Sequence, residues 1–186
     1  MQPSKKILKC RWSWEGAGDR PSLATEYTGW AATEAAIASA MEEHAPIDGI
    51  LSFSQGACCA AVYSVKAELS ASLPKPKFVV FISGFLPRDE SWAKEMLDTG
   101  ISFPTLHVFG ENDGIIPIDR SKRLQSICCG QAQELSHPGG HFVPTCNAQV
   151  KQDVREFFSQ QLVRLRECDG AAIGASDADG GQRQQM

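Results

Sequence analysis

Asp48-Gly49-Ile50-Leu51-Ser52-Phe53-Ser54-Gln55-Gly56 joins a short apolar run to an alanine-rich stretch, and the join is a serine. Ile50 to Phe53 reads as a short strand, whereas Gln55 to Leu69 has no Gly or Pro after Gly56 and reads as a buried helix. Strand, sharp turn and helix in that order lift the Ser54 hydroxyl above a sheet. Ser52-Phe53-Ser54-Gln55-Gly56 approximates G-x-S-x-G, the nucleophile elbow, with serine in place of the first glycine. Small residues at both ends let strand and helix approach closely. The backbone N–H of Gln55 then lies at a helix N-terminus, where a developing oxyanion is stabilised. A plainer reading uses the same residues, with Ser54 as a simple N-cap of the Gln55 helix.

Working outward, strand-length apolar runs alternate with helical periods, the pattern of an α/β fold in which helices cover a parallel sheet. Upstream, a helix is expected from about Gly29 to His44, with Thr28 as its N-cap and Trp30, Ile37 and Met41 on one face. Downstream, Phe78-Val-Val-Phe-Ile-Ser83 is apolar without alternation and reads as a central strand covered on both faces. Helices follow from about Asp89 to Leu97 and from Asp119 to Ile127, with strands at Thr105 to Phe109 and near Gln131 to Leu135. Val150, Val154, Phe157, Phe158, Leu162 and Leu165 give Asn147 to Arg166 one apolar helical face. Beyond it the composition turns to Gly, Ala, Asp and Gln, which cannot offset its ordering entropy by burial. The α/β domain is therefore expected to span residues 1–168, with 169–186 a disordered tail.

Composition narrows the function classes. The 186 residues carry 18 Lys+Arg and 22 Asp+Glu, a formal charge of −4, and no basic block that grips a phosphate backbone stands out. Nucleic-acid binding is not expected. No apolar run reaches the roughly 20 residues of a membrane span, and Met1 to Lys9 has no signal-peptide h-region, so the default compartment is cytoplasmic. Seven cysteines, at positions 10, 58, 59, 128, 129, 146 and 168, form neither a CxxC pair nor an even-numbered disulfide framework. They are expected to be reduced and mostly buried.

An acid and a base follow the serine in the order Ser, Asp, His, each just beyond an expected strand. Asp113 lies in Gly110-Glu-Asn-Asp113 and His141 in His137-Pro-Gly-Gly-His141. This is the α/β-hydrolase order, and parallel strands bring their carboxyl ends to one edge where distant residues converge. Each partner has a competitor. Asp113 is also placed to close an Asx turn, Glu111 and Asp119 are nearby carboxylates, and His137 rivals His141 as base. Phe85, Leu86, Ile115, Ile116, Phe142 and Val143 follow the expected strands and fit either an acyl site or the core.

With Asp48 to Gly56, Phe81-Ile-Ser-Gly-Phe85, Leu106-His-Val-Phe-Gly-Glu-Asn-Asp113 and His137-Pro-Gly-Gly-His-Phe-Val-Pro144 in order, the sequence resembles the FSH family of serine hydrolases. Within it, the chain is most similar to the ovarian-cancer-associated-gene-2-like esterases. The resemblance covers about residues 27–165. It implies a compact α/β-hydrolase, Ser54 as nucleophile, Asp113 orienting the base and His141 as that base, acting on carboxylic esters or thioesters without a cofactor. Two departures stand out. Ser52 occupies the place where the family's elbow begins with Gly, and residues 1–26 hold nothing like the family's first strand and its His-Gly loop, which supplies a second oxyanion N–H. Arg11-Trp-Ser-Trp-Glu15 is instead similar to the family's segment before the first helix here. The resemblance thus implies an N-terminally truncated domain with half of the oxyanion hole missing and a bare edge on the strand that leads to Ser54.

The sequence therefore supports a serine esterase working through Ser54, His141 and Asp113 with the Gln55 N–H as oxyanion donor, its partner a small acyl ester or thioester. The rival is a truncated, non-catalytic member of the family, and a third reading transfers the acyl group to an acceptor other than water.

Overall fold

The computed structural model describes residues 12–15, 21–145 and 148–178. The chain forms two compact units, Met1–Thr145 and Cys146–Met186. In the first, β1 (Ser13–Glu15) and β2 (Glu26–Thr28) pair antiparallel in a small ribbon that the sequence reading did not anticipate. α1 (Trp30–Glu43) follows, and its N-cap is Gly29 and not the expected Thr28. Thr28 is committed to the ribbon, and Gly29 turns the chain into the helix at φ 79°, a left-handed conformation that glycine adopts without steric cost.

β3 (Gly49–Phe53), α2 (Gln55–Leu69), β4 (Phe78–Ile82), α3 (Glu90–Thr99), β5 (Thr105–Gly110), α4 (Ile118–Gln125) and β6 (Ala132–His137) come next. All four of these strands run parallel in the order β3-β4-β5-β6, so each helix is a crossover between neighbouring strands. β5 is buried along its whole length and β4 at all but its first residue, as the unbroken apolar runs require of strands covered on both sides. α2 is the central helix. Ten of its fifteen residues are buried, and Ala57, Ala60 and Ala61 keep its surface low enough for the sheet to approach. Asp89 caps α3 by accepting hydrogen bonds from the Ser91 and Trp92 N–H groups.

Aromatic rings weld the ribbon to this core. Trp12 stacks on Tyr27 at 4.6 Å and on Trp92 at 5.7 Å between centroids, and Trp30 meets Trp92 edge-on at 5.2 Å. Among the described residues no strand pairs with the outer edge of β3. Leu51 there is 65 % exposed, and an apolar groove of about 450 Å³ runs beside it between α1 and α2.

α5 (Ala148–Ala178) makes up the second unit. Its helical backbone continues ten residues past 168, where Ala171, Ala172, Ala175 and Ala178 favour helix by propensity. Residues 179–186 of the expected tail lie outside the described residues. Cys58 and Cys59 are buried, Cys128 is half-buried and Cys129 exposed, and all four are free thiols. The side chains of Cys10, Cys146 and Cys168 lie outside the described residues. No helix among the described residues is long and apolar enough to cross a membrane.

His107 sits in the middle of this core, its ring 5.2 Å from that of Phe81 and its Nε2 3.1 Å from Thr105 Oγ1. Burial pushes its pKa down to about 4, so the fold holds the neutral ring. Between about pH 6.5 and 4 the unfolded chain binds a proton that the folded chain refuses, and stability therefore falls as pH falls through that window. The expected loss is on the order of 3 kcal/mol. Denaturant titrations across this range should reveal the slope, and His107→Leu should flatten it; a parent profile that is level from pH 7 to 4 would contradict the assignment.

Candidate active site

Ser54 marks the point where β3 becomes α2. Its N–H still donates to the Ile82 carbonyl at 2.9 Å, extending the sheet pairing by one residue, while its carbonyl already accepts from the N–H groups of Ala57 and Cys58. One residue must satisfy both, and it does so at φ 54° and ψ −122°. A non-glycine residue held there costs of order 1 to 3 kcal/mol and persists because strand and helix fix it from both sides. The hydroxyl does not cap the helix. Ser54 Oγ is 2.7 Å from His141 Nε2, so the plain N-cap reading fails at its side chain.

Of the two small residues flanking the elbow, Ser52 is accommodated by a hydrogen bond. Its buried hydroxyl donates to the Val80 carbonyl at 2.8 Å, so the extra atoms relative to glycine gain a partner inside the sheet. The close approach expected at Gly56 is not there, because a Cβ at that position would meet nothing within 4 Å.

His141 Nδ1 lies 2.8 Å from Asp113 Oδ2, and the Asp113 side chain is 1 % exposed against 15 % for His141. The three residues come from the loops after β3, β5 and β6, all at the carboxyl edge of the sheet. Two of those loops are sewn together. The N–H of Glu111 donates to the His137 carbonyl at 2.8 Å, that of Asn112 to the Gly139 carbonyl at 3.0 Å, and Asn112 Nδ2 to the Pro138 carbonyl at 2.7 Å. Gly110, which ends β5, leaves room for this approach, since a Cβ there would stand 2.5 Å from the Gly140 oxygen. The ring of Phe53 packs 4.9 Å from that of His141 and restricts it from the other side.

Asp113 satisfies both of its sequence readings with different atoms. Oδ1 closes the local turn by accepting from the N–H groups of Ile115 (2.9 Å) and Ile116 (2.8 Å), and Oδ2 faces His141. Oδ2 also accepts from the Ser83 hydroxyl at 2.8 Å, a contact the sequence reading missed. Ser83 itself sits at φ 48° where β4 ends, and its N–H is held by the Val108 carbonyl at 3.0 Å. Burial would raise the Asp113 pKa, but the hydrogen bonds from Ile116, His141, Ser83 and Ile115 outweigh it and hold the carboxyl below its ordinary value.

The competitors are engaged elsewhere. His137 is buried, packs on Phe142 with its ring 5.3 Å away, and accepts from the Gly139 N–H at Nδ1. Glu111 accepts from the Ser136 hydroxyl. Asp119 lies in the first turn of α4. Among the apolar residues considered for an acyl site, Phe85, Leu86 and Ile116 are buried in the core, whereas Ile115, Phe142 and Val143 are exposed. Gln55 opens α2, and its side-chain Nε2 donates to the Trp12 carbonyl at 3.3 Å, which ties the first described residue to the elbow. Among the described residues no group of three His, Cys, Asp or Glu is placed to share a metal ion.

A serine held in such a turn above a parallel sheet is the architecture of α/β-hydrolases, and solved structures give the same class. Zea mays acyl-protein thioesterase 2 matches with a TM-score of 0.54 at 19 % identity, covering 77 % of this chain and 71 % of that one. The RedJ thioesterase of Streptomyces coelicolor matches with a TM-score of 0.53 at 14 % identity over 74 % of this chain and 69 % of its own. The chain belongs to the serine hydrolase (FSH1) family, whose model matches residues 5–153. Among curated relatives, Esterase OVCA2 of Bos taurus is 40 % identical over 125 residues, which are 67 % of this chain and 54 % of that protein. The chain thus spans about half the length of that relative.

Ser83→Ala should destabilise the fold by about 1 to 3 kcal/mol at neutral pH, since it strips a donor from a buried carboxylate. The Asp113 pKa is lowered by folding, so its contribution is present above the ordinary carboxyl value and is lost as pH falls from there through the lower folded one. Denaturant unfolding should accordingly find the difference between variant and parent shrinking in acid; a difference that grows toward low pH would refute the assignment.

Proposed function

We propose that the chain is a serine esterase acting on carboxylic esters or thioesters, with Ser54 as nucleophile, His141 as general base and Asp113 as the group that orients it. The observation that carries the reading is the continuous path Ser54 Oγ to His141 Nε2 to Asp113 Oδ2, at 2.7 and 2.8 Å, at the carboxyl edge of the sheet. Kinship with a relative named an esterase supports the ester over the thioester as the bond cleaved.

In the first half-reaction the Ser54 oxygen attacks the acyl carbonyl as its proton passes to His141 Nε2. Asp113 accepts a hydrogen bond from Nδ1–H, selecting the tautomer with a free Nε2 and stabilising the imidazolium that forms. Negative charge on the former carbonyl oxygen meets the Gln55 backbone N–H at the start of α2. The imidazolium then protonates the departing alcohol or thiol, leaving an acyl-serine. Water, deprotonated by the same nitrogen, attacks the acyl-serine and releases the acid, and Ser54 recovers its proton. Exposed Ile115, Phe142 and Val143 flank Asp113 and His141 in sequence and supply an apolar approach for an acyl chain. The free thiols at 58, 59, 128 and 129 favour a reducing compartment, the cytoplasm.

A second, non-catalytic reading draws support from the oxyanion site, where among the described residues we assign the Gln55 N–H alone. Losing one of two oxyanion donors lowers kcat by about 10² to 10³.

Hydrolysis of chromogenic acyl esters separates the two. Turnover should be absent in Ser54→Ala and lower by roughly 10³ to 10⁴ in Asp113→Asn, where the tautomer is no longer fixed. Equal hydrolysis by parent and Ser54→Ala would overturn the proposal.

A further inference from the structure

Arg120, in the first turn of α4, sets its guanidinium carbon 4.6 Å from the centre of the Phe85 ring. Both terminal nitrogens are buried, and neither has a hydrogen-bond partner among the described residues. Burying a guanidinium without a counter-charge is costly, and the first turn of a helix, the positive end of its dipole, is the worst place on it for a cation. The surroundings add to the imbalance. Burial and the neighbouring Arg88 both push the Arg120 pKa down from its ordinary value. The Trp12 Nε1–H and the Tyr27 hydroxyl are further buried donors without a partner of good geometry, and Tyr27 lies within electrostatic range of Arg120.

Arg120 opens on a pocket of about 370 Å³ whose walls include Leu86, Arg88, Glu90 and Arg123. Three arginines and one glutamate therefore line it. Asp89, next in the chain, is spent on capping α3. Leu86 and Arg88 follow β4 and Arg120 follows β5, so this pocket opens at the same sheet edge as Ser54, and it is lined by residues that the proposed hydrolysis does not use.

We propose that this pocket binds an anionic oxygen group, phosphate or carboxylate, on the exposed side chains of Arg88 and Arg123, with the buried Arg120 charge behind it. Planar forks of N–H donors suit both groups, and a seated anion supplies the counter-charge that Arg120 lacks among the described residues. The anion is either part of the ester substrate or a separate small molecule, and the chemistry of the site is the same for both. The inference stands apart from the esterase reading because binding needs no turnover.

The test titrates inorganic phosphate at constant ionic strength onto the whole chain and onto Ser54→Ala, reading thermal stability and calorimetric heat. Saturable stabilisation of both proteins is expected, with affinity weaker by about tenfold or more in Arg120→Gln. Lys122→Gln removes the same charge from an exposed position of α4 that does not line the pocket, and binding should be unchanged. Should Arg120→Gln fail to fold, exposed Arg123→Gln decides, with weakening of several-fold expected. A second arm compares two esters of one acyl chain, one with a phosphate on its alcohol and one neutral. If Arg120→Gln erases a preference for the charged ester, the anion belongs to the substrate; if phosphate binding is lost and relative rates are unchanged, it is a separate molecule. Absence of saturable phosphate binding, equal affinity in parent and both arginine variants, or equal weakening by Lys122→Gln overturns the proposal.

Discussion

Strand and helix meet at Ser54 within a single residue, and that constraint organises everything the sheet edge carries. The residue must donate to β4 and start α2 at once, which leaves it a positive φ and a hydroxyl that points away from the helix it precedes. Strain of order 1 to 3 kcal/mol is tolerable only where packing fixes both flanks. Here the fixing elements are the fully paired β3–β4 register and an α2 buried along most of its length. A serine in a relaxed turn would have its hydroxyl on the helix N–H groups, where it could not reach His141.

The same logic extends to the partners. His141 has no regular secondary structure of its own, so its position is inherited from backbone hydrogen bonds between its loop and the one that carries Asp113. Asp113 in turn is pinned at both oxygens, by two backbone N–H groups on one and by Ser83 and His141 on the other. The carboxylate is buried and yet held ionised, because each lone pair that lost water gained a donor. Ser83, at positive φ like Ser54, plays for β4 the part that Ser54 plays for β3, turning a side chain upward where the strand ends.

Legibility of these features in the sequence followed the strength of the local signal. Apolar runs marked β3, β4 and β5 within a residue or two, and the elbow pattern marked Ser54 over a plain N-cap only because an Asp and a His follow in the α/β-hydrolase order. Asp113 and His141 were chosen by chain order and glycine context. Ser83 was invisible as a site residue, since a serine ending Phe78 to Ile82 looks like any strand terminus; the polar side chain followed at once by Gly84 was the available clue. β1 and β2 were missed because three-residue strands carry almost no periodicity, although the apolar–polar alternation of Trp12-Ser13-Trp14-Glu15 hinted at one of them. The requirement for close packing at Gly56 was inferred from the motif and is absent from the structure. Arg120 carries no signal in the sequence, because nothing in one dimension says that Phe85 lies against it.

The proposed esterase requires above all that the Ser54 hydroxyl be an activated nucleophile. Treating the purified chain with a fluorophosphonate probe, beside Ser54→Ala and His141→Ala, and locating the adduct by peptide mass spectrometry asks this without choosing a substrate. A single adduct on Ser54 that disappears in both variants is the expected result. A folded chain that remains unlabelled, or labelling of Ser54 at an undiminished rate in His141→Ala, would contradict it.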